Sequence, residues 1–244
     1  MPLTLAHPAA VLPLRRLGLP LSALVIGSMV PDVPLFLRWP GGYRFSHDLV
    51  GVLTVDLAGA LLLLYVWNTV LRDALVDLAP GFVRDRLAAR RRLSSLEWML
   101  TPIAAVMGSV THVVWDAFTH RNRWGVASVD WLQADLGPLP GYRWAQYASG
   151  VVGLVIVLAA SVSYVLSRPA NRRARPRVLP APSMLLVVGA AVAYGTVAGL
   201  GHWSRGMHAV AFHAALGGIA TLAVGTALTC LLWQLLARFE ATST

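Results

Sequence analysis

Apolar residues fall along this chain in long runs separated by short polar stretches. A bilayer core about 30 Å thick takes roughly 20 apolar residues per helix. Five runs meet that length plainly: residues 50–71, 96–118, 147–166, 182–200 and 208–239. A sixth run, 17–37, is interrupted by Pro20, Pro31, Asp32 and Pro34. Proline removes a backbone donor, and such breaks persist at membrane depth only where protein or water covers them. This run therefore reads as a discontinuous or re-entrant segment. The pattern predicts an all-α, polytopic membrane helical bundle of about six spans with the first one broken. It forms a single integral membrane domain over residues 1–244.

Composition supports the same solvent. Hydrophobic residues make up 57% of the 244 positions and mean hydropathy is +0.63, while charged residues are 13%, about half the share usual in soluble chains. A soluble globule, a disordered tail and a fibrous repeat are excluded on this ground. The net charge is +9, and all 20 basic residues are arginine. Basic residues near helix ends are retained in the cytoplasm. With six spans, fourteen arginines fall on one side: 15, 16, 72, 84, 86, 90, 91, 92, 168, 172, 173, 175, 177 and 238. Six fall on the other: Arg38, Arg44, Arg121, Arg123, Arg143 and Arg205. Both termini are thus expected in the cytoplasm, with the protein multi-pass in the cell membrane. Clusters at helix ends are explained by orientation, so no nucleic-acid partner is expected. The stretch after Arg15 and Arg16 meets no small-residue cleavage site and runs into Pro31-Asp32, unlike a signal peptide. Most tryptophans sit near the outer boundary, as an aromatic belt does.

The single cysteine, Cys230, excludes a disulfide framework and a cysteine-based zinc site. Chemistry must come from histidine and carboxylate, and an ionisable group inside a span is costly enough to be a functional hypothesis by default. Such groups concentrate at His7, at Asp32 in the proline break, at Ser46-His47-Asp48, and in the stretch Thr111 to His120. There His112, Asp116 and His120 are spaced i, i+4, i+8 and share one helical face. His112 and Asp116 are neighbours able to share one cation, with His120 a turn further toward the rim. Together with Asp32 and His47 at a similar expected depth, they predict a metal site. Neutral imidazole and carboxylate suit zinc, with manganese or iron as alternatives. His7 joins the others only if residues 5–14 fold back as a short helix. His202, His208 and His213 lack a partner carboxylate nearby in sequence and read as structural. The Arg/Pro-rich stretch 167–182 divides the chain, making 1–125 the expected metal-site core and 145–244 packing helices.

Several of these motifs carry a resemblance. The opening Met1-Pro2-Leu3-Thr4-Leu5-Ala6-His7-Pro8, the stretch Gly27-Ser28-Met29-Val30-Pro31-Asp32, Ser46-His47, and Gly108 to Asp116 resemble the bacterial membrane family called domain of unknown function 4184. The likeness covers most of the first 125 residues. More distantly, the order His, Pro-Asp, Ser-His, His-x-x-x-Asp is similar to that of predicted membrane-bound metal-dependent hydrolases. The resemblance implies that His7, Asp32, His47, His112 and Asp116 are metal ligands. The chain departs from the hydrolase pattern in having Val33-Pro34 where a second acidic residue often follows, which points away from a binuclear site. The expected activity is hydrolysis of an ester or phosphoester of a lipid-like substrate at the outer interface, with His120 or Asp48 as general acid or base. The rival expectation is a transporter or assembly factor whose polar groups form an intramembrane path.

Overall fold

The computed structural model of the chain describes residues 4–87, 93–171, 177–180 and 182–242. Of the arginines counted on the inner side, Arg90, Arg91, Arg92, Arg172, Arg173 and Arg175 lie outside the described residues, as do Met1 to Leu3 of the opening motif. In chain order the helices are α1 (Pro8–Val11), α2 (Leu21–Gly27), α3 (Val33–Phe36), α4 (Gly42–Ser46), α5 (Leu49–Leu78) and α6 (Gly81–Arg84). They continue with α7 (Ser95–Thr119), α8 (Trp124–Ala127), α9 (Asp130–Gln133), α10 (Gly141–Leu166), α11 (Ser183–Leu200) and α12 (Met207–Thr242). A two-stranded antiparallel hairpin joins β1 (Asp135–Leu136) to β2 (Leu139–Pro140).

Among the described residues, five helices are long and apolar enough to cross a membrane: α5, α7, α10, α11 and residues Met207–Phe239 of α12. The chain is an all-α membrane helical bundle. Leucine and valine side chains such as Leu62, Val155, Leu158, Leu186 and Val192 stand exposed along these helices. Such surfaces are stable in hydrocarbon, where they make the contacts that water would penalise. The predicted sixth span is the broken one. It consists of α2, a 3-10 turn over Val30–Asp32, and α3, and is shorter than a full crossing.

By internal contacts the chain forms two units, one of Leu3–Leu64 with Leu93–Ser161, the other containing Tyr65–Arg92 and Val162–Thr244. The first unit is built on the crossing of α2 and α7. Ala23 and Gly27 on one helix, and Ala104 and Gly108 on the other, are small residues four apart that let the backbones approach closely. A Cβ on Gly27 would strike the carbonyl of Ala105, and one on Gly108 the carbonyl of Leu24. Val30, Ala60 and Ala105 pack beside this crossing with Ile26 and Leu57.

The break after α2 leaves backbone carbonyls without helical partners, and side chains take them up. Ser109 Oγ donates to Gly27 O at 3.1 Å, and Ser46 Oγ donates to Pro31 O at 2.7 Å. The helix that crosses it, α7, starts at a capping box: Glu97 N–H donates to Ser94 Oγ at 3.2 Å and Ser94 N–H to Glu97 Oε2 at 2.8 Å. Ser94→Ala removes one of these bonds and is expected to lower stability by about 1 kcal/mol, read as a fall in thermal unfolding temperature in detergent.

In the second unit, α11 and α12 form an antiparallel hairpin in which Gly195 and Gly199 face Ala214 and Val210. Asp77, near the end of α5, gathers donors there. It accepts from Arg84 Nε at 2.9 Å, Trp233 Nε1 at 2.9 Å and Val178 N at 3.1 Å, and Arg177 donates to the Asp77 and Ala79 carbonyls. This buried carboxylate is paired and hydrogen-bonded, which is the condition for keeping a charge out of water. His202 and His213 also lie in this unit, with rings stacked at 3.5 Å.

Candidate metal centre

Three elements of the first unit bring the polar groups together. The helix α7 presents His112 and Asp116 one turn apart, the proline break presents Asp32, and the turn between α4 and α5 presents His47. All four are buried, and one ligand atom from each lies within 4.8 Å of the others. The separations are 3.2 Å from His47 Nε2 to Asp116 Oδ2, 3.6 Å from His112 Nε2 to Asp32 Oδ1, and 3.7 Å from His112 Nε2 to Asp116 Oδ2. Tetrahedral ligands at about 2.1 Å from a cation stand about 3.4 Å apart, so these spacings fit.

The two histidines are held in the same way. His112 Nδ1 lies 2.8 Å from Ser28 O, and His47 Nδ1 lies 2.8 Å from Tyr43 O. A carbonyl only accepts, so each Nδ1 carries a proton, and when the ring is neutral the lone pair of Nε2 points inward. His112 Nε2 is buried with no hydrogen-bond partner. Burial lowers the pKa of His47, favouring the neutral ring. Neutral rings leave two imidazole lone pairs facing two carboxylates, an arrangement that repels unless a cation lies among them. The donor set, two nitrogens and two oxygens without sulfur, suits zinc, manganese or iron.

His7 joins the others through a fold-back of the kind it needed: a 3-10 turn over Thr4–Ala6 leads into the short helix α1. Its ring stacks on His112 at 3.8 Å, and its Nε2 lies 3.6 Å from Asp116 Oδ1, while Nδ1 has no hydrogen-bond partner. Burial pushes the His7 pKa down to about 3. His120 ends α7 with extended backbone, and its Nδ1 lies 3.3 Å from Asp116 Oδ1 at the half-buried rim. Asp48 is placed differently: its side chain is exposed and caps α5 by accepting from Leu49 N–H at 2.6 Å. The structure thus brings His7, Asp32, His47, His112, Asp116 and His120 together and leaves Asp48 at a helix start.

Three partners escaped the sequence reading. Thr4 Oγ1 donates to Asp32 Oδ2 at 2.5 Å, and Tyr43 Oη donates to Asp116 Oδ2 at 3.0 Å. Burial and then the Asp116 charge raise the Tyr43 pKa, keeping the phenol a donor. Gln146 Nε2 lies 2.9 Å from His120 Nε2. A fourth residue, Asp56, is a fully buried carboxyl in a π-helical turn of α5, with Oδ2 unpartnered. An ionisable residue inside an apolar run was the available signal for it.

The profile of the domain of unknown function (DUF4184) matches residues 1–231. The chain belongs to this family. The match runs well past the first 125 residues on which the motifs fall, so DUF4184 includes the later helices as well. Among curated proteins and among solved structures, none matches this DUF4184 chain.

Proposed function

We propose that this protein is a membrane-embedded, metal-dependent hydrolase acting on an ester or phosphoester of a lipid-like substrate, with zinc as its metal. The observation that carries the reading is the pair of histidines anchored through Nδ1 to carbonyls, with both Nε2 atoms turned toward Asp32 and Asp116. Asp32, His47, His112 and Asp116 would hold the cation, with His7 beside them. A bound divalent cation supplies Lewis acidity toward a scissile oxygen and lowers the pKa of bound water toward about 7.

The chain's own groups then do the rest. Tyr43 and Thr4 donate to the two carboxylates and fix their orientation. His7 has a free buried nitrogen, Nδ1, available to take or give a proton. Arg123 lies over the Tyr43 ring at 5.6 Å, where a guanidinium favours an anionic group on the substrate. The arginine bias supports cytoplasmic termini in the cell membrane and a site opening at the outer interface.

The rival reading, a transporter or assembly factor, draws support from Asp56, since a buried unpartnered carboxyl within a span suits an ion path. The discriminating experiment uses purified protein in nanodiscs, loaded with zinc, manganese or iron. Release of product from phosphodiester or carboxylic-ester lipid analogues, lost with chelator and restored by metal, is the expected result. A folded, metal-loaded protein that cleaves neither class, yet moves protons or cations in liposomes, would overturn the proposal in favour of the rival.

A further inference from the structure

Gln146 lies near the start of α10, on the stripe Gln146, Gly150 and Gly153 that is buried in the first unit. Its amide has two neighbours of fixed chemistry. Arg143 Nη1 donates to Gln146 Oε1 at 3.2 Å, and a guanidinium can only donate. The amide oxygen therefore faces Arg143, and the NH2 group faces His120 Nε2 at 2.9 Å. Because NH2 is a donor, His120 Nε2 must accept and carries no proton.

The proton of the neutral ring is then on Nδ1. Two acceptors meet it there. Thr119 Oγ1, 3.1 Å away, spends its own hydrogen on Trp115 O at 3.2 Å, which leaves its oxygen to accept. Asp116 Oδ1 lies at 3.3 Å. We infer that Gln146 is a positioning residue: it sets the tautomer of His120, so that the ring holds the Asp116 carboxylate as a hydrogen-bond donor. This rests on the reading of Asp116 as a metal ligand only for its effect on metal binding. It also changes the role of His120, whose basic nitrogen is occupied by an amide and is not free to act as a general base.

Donors that hydrogen-bond a ligating carboxylate from behind orient it and typically affect metal affinity about 10–100-fold. Glutamate at 146 keeps the shape and the Arg143 contact but can only accept, so it demands a proton on His120 Nε2. Methionine keeps similar bulk and leaves Nε2 without its donor. The test is a ring-nitrogen NMR spectrum of the metal-free, histidine-labelled protein in detergent, with zinc affinity measured by chelator competition. The wild-type chain should give His120 a protonated Nδ1 and an unprotonated Nε2. Gln146→Glu should place a proton on Nε2, and both Gln146→Glu and Gln146→Met should weaken zinc binding about 10-fold or more. A wild-type spectrum with the proton on Nε2 overturns the inference, as does unchanged zinc affinity in both variants. If wild-type protein binds no metal, the ligand reading fails, and the two spectra still decide whether Gln146 sets the tautomer.

Discussion

His112→Ala is expected to raise the dissociation constant for zinc by more than about 100-fold, beyond what losing a hydrogen-bond partner of a ligand costs. The side chain has no exposed surface, its Nδ1 is fixed on Ser28 O, and its Nε2 stands between Asp32 Oδ1 and Asp116 Oδ2. Removing it leaves two buried carboxylates at the centre with one neutral donor fewer. Truncating this fully buried ring also leaves a cavity, which for a large buried side chain costs about 2–5 kcal/mol of stability. Thermal unfolding with and without zinc therefore accompanies the binding measurement. His202→Ala, in the other unit and without a carboxylate partner among the described residues, serves as control and should leave zinc affinity unchanged. An affinity in His112→Ala equal to wild type would remove His112 from the site.

Gly108→Ala carries the second large effect, although one methyl group is all that it adds. The new Cβ would strike Leu24 O and come within 2.7 Å of Ser28 N and 2.9 Å of Gly27 C, all backbone atoms that no rotamer change moves. The helices α2 and α7 must part. Overpacking of this kind costs about 1–3 kcal/mol or more, and alanine returns at most about 1 kcal/mol of helix propensity. Ser28 O moves with α2, so His112 loses its anchor and zinc affinity should fall alongside stability. Gly189 on α11 provides the contrast, since a Cβ there meets nothing within 4 Å. Gly189→Ala should be neutral or slightly stabilising. Equal unfolding temperatures for the two variants would show that the α2–α7 crossing is not close-packed.

The parts of this architecture legible in the sequence were those written in a single element. Five apolar runs of bilayer length became α5, α7, α10, α11 and α12, because hydropathy reports the solvent of a helix directly. The proline break was legible because missing donors are a local property of Pro31 and Pro34. His112 and Asp116 were legible because i, i+4 spacing fixes a shared face before any tertiary contact is known.

What stayed hidden depended on which face meets which. Gln146 stands 26 residues from His120, and only the docking of α10, through Trp115 Nε1 donating to Ser149 Oγ at 3.1 Å, brings it there. Tyr43 and Thr4 lie outside the long apolar runs, and their hydroxyls give no periodic signal. Asp48 was expected as a general acid or base, yet the chain turns after His47 so that Asp48 caps α5 while His47 points inward. Asp77 shows the same limit in the other unit, where Trp233 and Arg177 reach it from distant sequence.

The central claim is that Asp32, His47, His112 and Asp116 grip a cation. X-ray absorption on the purified, zinc-reconstituted protein tests it most directly. Stoichiometric zinc in a shell of nitrogen and oxygen without sulfur, with the outer-shell scattering of two imidazoles, is expected in the wild-type protein and is lost in His112→Ala. A folded protein that takes up no metal, with His112 present instead as an imidazolium bridging the two carboxylates, would contradict it.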